Sequence, residues 1–481
     1  MSVVSRLIEK IRELLLGESR KEFLAIKMRH AKDFISALPK GNILQFSCLC
    51  LILLTAVLIR LMPLRWGFFL SEFDPYFQYR MTDYVVKNGF QAWFSWHDDM
   101  SWYPVGRDVF KSAYISLPFT AALLYMFLSG IGANVTVFQV CVVFPVIMAA
   151  ATCIVIYFFG KDLWSRSVGL LSALFMALNT SHISRTSLGF FDDETIGIFT
   201  MILLFMFYLR AISPDRSLRS CLFYSIFSGL ALSYLSLGWG AFRYTMALIA
   251  MYSLVLVILR RYSHRLLVAY TTTIGLQLLV ASQHPYLSWL PKEWSTMAVV
   301  GVFLILCTSE LLTYVKTLRA KLGSSFCFLA AILVGLVILW NQGFILNPTA
   351  MMKFWSVVNP SGRIAMPLVE SVAEHRPATW ASLFYEIGIL AFLATFGFFF
   401  VIRRFRQNDI FLALLGLSSL YFAGSMVRLT LILGPAVAIL AAITVVELGK
   451  PSIDILREAV IFPKRKIRVA TRIGREFGAV I

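Results

Sequence analysis

Residues 71–107 read SEFDPYFQYRMTDYVVKNGFQAWFSWHDDMSWYPVGR. They follow the first long apolar run and set Glu72, Asp74, Asp83, Asp98 and Asp99 among aromatic residues. The chain is 59% hydrophobic and only 15% charged, so carboxylates are scarce and such a group beside an apolar segment calls for an explanation. A wet loop between two helices is the plain one. A second acidic stretch, SRTSLGFFDDE at residues 184–194, favours another. Two acidic loops against one face of a membrane read as a divalent-cation site.

The membrane itself is read from composition. Across 481 residues of mean hydropathy +0.76, apolar runs of about 20 residues recur, the length that spans a bilayer as a helix. A soluble domain of this composition would expose far too much apolar surface. The 44 Lys+Arg against 26 Asp+Glu leave a formal charge of +18. In a membrane protein that excess signals topology, and nucleic acid is set aside as a partner. Cys48, Cys50, Cys141, Cys153, Cys221, Cys307 and Cys327 lie in or beside apolar runs without a C-x-x-C pattern, so they read as small packing residues.

Residues 1–43 are basic and amphipathic and carry no cleavable signal; the run at 44–59 reads as a signal anchor with a cytosolic N-terminus. Further runs lie near 113–131, 137–159, 168–183, 195–210, 221–237, 239–259, 266–282, 293–316, 325–340, 382–402, 410–423 and 429–447. The basic loops 161–166, 210–219, 260–265 and 403–406 all face the cytosol only if 113–131 does not cross, which leaves about twelve spans. The expected fold class is therefore an all-α polytopic membrane protein with a transmembrane domain over 44–447. Its two long loops, 65–136 and 341–381, are lumenal, and loops of that length are usually functional or disordered. The basic tail 448–481, with KRKIR at 464–468, is expected in the cytosol against acidic membrane lipid.

Six residues stand out chemically. Asp74 lies just outside the first span. Asp192 and Glu194 follow a turn expected at Gly189 and are two apart, so in a loop or strand both can point the same way. Ligand sets of oxygen alone favour magnesium or manganese. An acid at the bilayer centre costs roughly 2.5–3.5 kcal/mol, so acids gathered at the interface need water or a cation. The competing reading of residues 192–194 is N-terminal capping of the next helix, where acids suit the helix dipole. Glu374, in ESVAEHRPATW, either serves the site or pairs with His375 or Arg376 beside it. Arg428, in YFAGSMVRLTLIL, either snorkels or holds an anionic headgroup or pyrophosphate. Trp239, in SLGWGAFRY, is either an interface anchor or a site residue.

EFDPYFQYR, SWYPVGR, SRTSLGFFDDE, SVAEHRPATW and YFAGSMVRL, in this order, resemble the catalytic subunit of eukaryotic oligosaccharyltransferase, the dolichyl-diphosphooligosaccharide–protein glycosyltransferase. The likeness runs from about residue 40 to about residue 447 and extends more distantly to the single-subunit bacterial and archaeal enzymes. The resemblance implies the GT-C glycosyltransferase fold in the endoplasmic reticulum membrane. It implies en bloc, inverting transfer of an oligosaccharide from dolichyl diphosphate to the Asn of Asn-X-Ser/Thr, with Mg2+ or Mn2+. On that pattern Asp74, Asp192 and Glu194 would bind the metal, and Asp74 and Glu374 would hold the acceptor amide. Arg428 would bind the donor diphosphate and Trp239 would lie near the donor. The implied partners are the dolichyl-diphosphate oligosaccharide, an acceptor polypeptide, other oligosaccharyltransferase subunits and membrane lipid.

Two departures follow. The family's WWDYG motif, which reads the acceptor Ser/Thr, does not occur in the sequence, and SVAE stands where the family has SVSE. Recognition of a hydroxyl needs buried polar groups built for it, so impaired transfer is expected. A non-catalytic or partner-dependent subunit of the same complex is the alternative. A multi-span transporter with a cation site is a remote one, since it would place acids at helix centres, where these runs hold almost none. Of the sequons, Asn134-Val135-Thr136 and Asn179-Thr180-Ser181 are expected on the lumenal side; Asn347-Pro348-Thr349 is excluded by its proline.

Overall fold

A computed structural model describes residues 40–315 and 357–461, with isolated positions between them. Two compact units are distinguished. Residues 1–52 contribute only the beginning of the first helix to what is described, and residues 53–481 hold the rest. The helices are α1 (Lys40–Leu61), α2 (Phe73–Asn88), α3 (Ser116–Gly130), α4 (Val137–Leu163), α5 (Arg166–Leu178), α6 (Thr180–Ser184), α7 (Asp193–Ile212), α8 (Leu218–Ser236), α9 (Phe242–Ile258), α10 (His264–Ala281), α11 (Trp294–Tyr314), α12 (Trp380–Ile387), α13 (Leu390–Arg404), α14 (Gln407–Ser425) and α15 (Thr430–Ile461). A two-stranded antiparallel hairpin, β1 (His97–Asp98) with β2 (Arg107–Asp108), interrupts the helical pattern. The all-α expectation holds.

Apolar runs fold as helices here because lipid offers the backbone no other hydrogen-bond partner. On α13, Phe392, Phe396 and Phe399 follow one another at helical spacing and are 52%, 58% and 60% exposed. A ladder of phenylalanines facing outward suits a hydrocarbon solvent. Between helices the contacts rely on small residues, the usual device where lipid removes the hydrophobic drive to associate. At Gly397 a Cβ would meet the Leu440 carbonyl oxygen of α15 at 2.0 Å, so α13 and α15 touch backbone to backbone.

The expected count of about twelve spans is corrected. Among the described residues six helices are long and apolar enough to cross, or up to eight if two bent pairs each form one span. The pairs are α10 with Pro285–Lys292, bent by 118°, and α12 with α13, bent by 84°. Two expected spans are simply short. The 13 residues of α5 and 17 of α9 reach about 20 Å and 26 Å at about 1.5 Å per residue, against about 30 Å of hydrocarbon. The 15-residue α3, expected not to cross, reaches only about 22 Å. The run 325–340 and the basic stretch 464–468 lie outside the described residues, while α15 runs on past 447 to Ile461.

One apolar cluster positions the site. Leu70, from the loop before α2, packs with Leu117 of α3, Cys141 and Phe144 of α4, and Leu188, Phe191 and Ile196 around the second acidic stretch. Each acidic loop is thus pinned by its own apolar neighbours to the same core. Backbone bonds complete the seam. Ser71 N–H donates to the Gly189 carbonyl at 3.1 Å, and Gly189 N–H to Val142 at 2.9 Å. The expected turn at Gly189 is present, with φ +86°. A Cβ there would lie 2.2 Å from the Phe69 carbonyl oxygen. Gly189→Ala is therefore expected to destabilise the protein by more than the roughly 1–2 kcal/mol of a left-handed backbone alone, because the seam must also open. Thermal unfolding in detergent micelles checks this; an unchanged midpoint would show that the loops are not held here.

The first long loop is ordered by a second cluster of Met81, Val85, Trp93, Trp96 and Val109 and by a two-pronged ion pair from Arg80 to the buried Asp98, at 2.6 and 2.9 Å. The Arg80 hydrogen bond holds the Asp98 carboxyl below the usual range, with Ser101 assisting. A carboxyl depressed on folding contributes stability above its unfolded value, near 3.9, and loses it as pH falls through the lower folded value. Amide exchange in residues 97–108 is expected to quicken below about pH 4, and Asp98→Asn should remove that pH step.

The sequons part company. Asn134 is exposed ahead of α4, whereas Asn179 is 2% exposed and caps α6, so its amide is out of reach in the folded protein. Cys141, Cys153 and Cys221 are buried packing residues, as expected, while Cys50 is exposed; Cys327 lies outside the described residues.

Candidate functional site

The two acidic stretches meet, but not through Asp74. Asp74 sits exposed in the first turn of α2. One turn further along the same helix, on the same face, Gln78 donates from Nε2 to Asp193 Oδ1 at 3.1 Å and more weakly to Asp192 Oδ1 at 3.5 Å. Asp192 is the N-cap of α7 and accepts from the Asp193 N–H at 2.8 Å. Capping, the competing reading of this motif, is therefore part of what these acids do. Burial, with the neighbouring Glu194 and Asp193 charges, pushes the Asp192 carboxyl well above its ordinary range.

Glu194, 1% exposed, accepts from Arg428 Nη2 at 2.8 Å and from Nε at 3.2 Å. Arg428 also reaches Glu374 at 3.9 Å, and Arg185 donates to Glu374 at 2.5 Å. Glu374 thus pairs with residues far away in sequence, not with its neighbours: the ring of His375 bonds the Val369 carbonyl, and Arg376 offers its own carbonyl to Val427 N–H. That bond, together with Ala378 N–H to the Gly424 carbonyl at 3.0 Å, docks the second long loop on the α14–α15 turn. Buried Arg363 clamps it further, donating to the Ser425 carbonyl and hydroxyl, both at 2.6 Å. This docking is what carries Glu374 to Arg428.

Trp239 is placed otherwise. Its ring lies flat on α7, where a Cβ on Gly197 would fall 2.4 Å from it. It packs one turn below Glu194 and makes a wall for the helix that presents the acids.

Four contributors escaped sequence reading. Gln78 and Asp193 bridge the two acidic motifs. Arg185 holds Glu374; burial opposes its charge, but the Glu374 hydrogen bond and the Glu194 charge prevail and raise its pKa. Arg60, fully buried at the end of α1, donates to Thr186 Oγ1 at 2.7 Å, to the Ala56 and Ala177 carbonyls and to His182 Nδ1 at 2.9 Å. Its own carbonyl accepts from Leu188 N–H, so it braces the second acidic loop from beneath. Arg185 and Asp193 were legible as charges inside a quoted motif; Gln78 and Arg60 carry no signal of their own.

Among the described residues no three His, Cys, Asp or Glu side chains converge in a metal-holding group. Asp74, Asp192 and Glu194 do not form such a group among the described residues; Arg428 pairs with Glu194, and the Gln78 amide donates to Asp193 and more weakly to Asp192. The oxygen chemistry nonetheless suits a hard cation. Glu194 Oε2 and Gln78 Oε1 are both buried without a partner, and a buried oxygen with nothing to bind is costly.

Long apolar helices, two bent helix pairs and a cluster of paired acids and arginines define a polytopic membrane protein. Its fold is similar to that of the oligosaccharyltransferase AglB of Archaeoglobus fulgidus, solved with an inhibitory peptide and a dolichol-phosphate, with TM-score 0.70 over 92% of this chain and 54% of that one at 16% identity. The apo form of the archaeal enzyme agrees equally, at TM-score 0.70. The family described as oligosaccharyl transferase STT3, N-terminal, matches residues 43–441, and the chain belongs to it. It is 36% identical to the glycosyltransferase subunit STT3B of Oryza sativa, over 83% of this chain and 56% of that protein. To STT3B of Arabidopsis thaliana it is 35% identical, over 92% and 60%. The chain therefore spans a little over half the length of these curated relatives.

Proposed function

We propose that this chain carries the donor-binding and amide-activating part of an oligosaccharyltransferase. It would move an oligosaccharide en bloc from dolichyl diphosphate to the amide nitrogen of Asn in Asn-X-Ser/Thr. The observation that carries this reading is the set Glu194–Arg428–Glu374, in which a buried and a half-buried carboxylate meet a guanidinium suited to diphosphate. The setting is the endoplasmic reticulum membrane with a cytosolic N-terminus, alongside other subunits of the complex.

The residue types fit the chemistry. An amide nitrogen is a poor nucleophile because its lone pair is delocalised into the carbonyl. Asp74 and Glu374, accepting its two N–H bonds, would localise that lone pair; the nitrogen then attacks the anomeric carbon from the face opposite the diphosphate, with inversion. Arg428 would turn from Glu194 to the diphosphate and hold it as negative charge grows there. Asp192, Glu194 and Asp74 would hold Mg2+ or Mn2+, which supplies further charge neutralisation to the leaving group when bound. Trp239 supports this from behind α7, close to the donor.

Transfer to a labelled Asn-X-Thr peptide, from membranes containing this chain with manganese or with EDTA, tests the reading together with donor binding. Manganese-dependent transfer supports it. A chain that neither transfers nor binds dolichyl-diphosphate oligosaccharide overturns it. A chain that binds donor without transferring favours the second reading, a partner-dependent subunit, for which the separation of Asp74 from the other acids speaks.

A further inference from the structure

On the other side of Asp74 lies a wall that none of this chemistry uses. Arg107 comes first. It is half-buried between the rings of Phe77 and Trp102, at 4.4 and 4.6 Å, and lies within electrostatic reach of Asp74 and Tyr286. Tyr286 packs edge-on against Tyr114 at 5.1 Å between ring centres. Tyr114 in turn lies within electrostatic reach of Asp193 and of Arg243. Arg243 reaches both Glu293 oxygens through Nε, at 2.9 and 3.2 Å, and lies 5.4 Å from the Trp289 ring. The wall thus begins beside Asp74 and Asp193 and leads to Glu293.

Its chemistry is specific. Past Arg107, which among the described residues bonds only Ser112, three aromatic rings stand beside an arginine–glutamate pair whose charges cancel, so the stretch from Tyr114 to Glu293 is rich in hydrogen-bonding groups without net charge. That disfavours diphosphate and offers nothing to a charged peptide. A sugar ring matches it: one apolar C–H face for an aromatic side chain, and a fringe of hydroxyls, each donor and acceptor, for planar groups such as Arg and Glu. A further polar atom in the same segment lacks a partner. His284 Nδ1 accepts from Tyr286 N–H at 3.3 Å, so Nε2 bears the proton, and it is buried with no acceptor among the described residues. Gly240 leaves room at Tyr114, whose hydroxyl stands 3.3 Å from where a side chain would begin.

We propose that Tyr114, Arg243, Tyr286, Trp289 and Glu293 bind the first sugars of the donor glycan. This rests on the donor reading above: the diphosphate is held on the Arg428 side, the sugars lie along the opposite wall, and the bond to be broken falls between them beside Asp74. The wall reads the glycan, and it sets which sugar-bearing lipids are accepted.

The test compares two probes, dolichyl diphosphate carrying a neutral disaccharide and bare dolichyl diphosphate, on the purified chain in lipid nanodiscs. Tyr286→Ala is expected to weaken binding of the disaccharide lipid about tenfold and leave the bare lipid unchanged, which also shows that the variant is folded. Tyr114→Phe, which keeps the ring, should weaken the disaccharide lipid about three- to tenfold through the one hydroxyl it loses. Unchanged affinity of both variants for the disaccharide lipid, or equal loss for both lipids, overturns the proposal. So does a parent chain that binds the two lipids equally well, and that result leaves the donor reading standing. A parent that binds neither lipid removes both.

Discussion

Asp74→Ala is expected to lower peptide glycosylation about 10²–10³-fold, the usual cost of deleting one electrostatic contributor at a reacting centre. It should leave folding untouched. Asp74 is exposed in the first turn of α2, and surface substitutions of this kind usually change stability by less than about 0.5 kcal/mol. The two effects therefore separate, which they do not for the buried acids. Manganese-dependent acceptor-peptide binding gives a second readout and is expected to fall as well, because Asp74 is assigned to both the cation and the amide. Asp74→Asn, nearly the same shape, should behave like alanine. A variant that transfers or binds acceptor within a few-fold of the parent would remove Asp74 from the site.

Arg428→Ala is expected to act on both stability and donor binding. Glu194, 1% exposed, would lose the guanidinium that neutralises it, and breaking one side of a buried ion pair costs about 3–5 kcal/mol. Arg428 is itself 34% exposed, so water screens part of the pair and the lower end, about 3 kcal/mol, is expected. Glu194→Gln combined with Arg428→Leu should recover much of that loss, because the orphaned charge is gone. A double-mutant cycle on thermal unfolding in micelles measures the coupling. Strictly additive single losses would mean that the pair is incidental. Donor binding should vanish in Arg428→Ala and stay lost in the double variant.

Much of the site was legible because its parts are local patterns. The run lengths indicated helices in lipid, FDDE after Gly189 indicated acids at a helix start, and the separate motifs SVAE and MVRL carried Glu374 and Arg428, which the fold brings to Glu194. What each charge bonds was not legible. Beside Glu374 stand His375 and Arg376, the natural partners by proximity along the chain, yet docking of the loop on Gly424 and Val427 turns Glu374 to Arg428 and Arg185 instead. Gln78 carries no charge or spacing that marks it, and only the fold sets it against Asp193.

From the sequence alone came the helical membrane class, the acidic motifs, the turn at Gly189 and the residue types of the chemistry. These follow from run length against bilayer thickness and from spacings of a few residues, which act before any long-range contact forms. Only the tertiary structure decided that Asn179 is buried, that Trp239 lies on Gly197, that α5 and α9 are short, and that Arg428 neutralises Glu194. Those outcomes depend on side chains from segments as far as 234 residues apart meeting in one place. Such meetings are set by helix packing and by the need to pair every buried charge, and no local spacing encodes them.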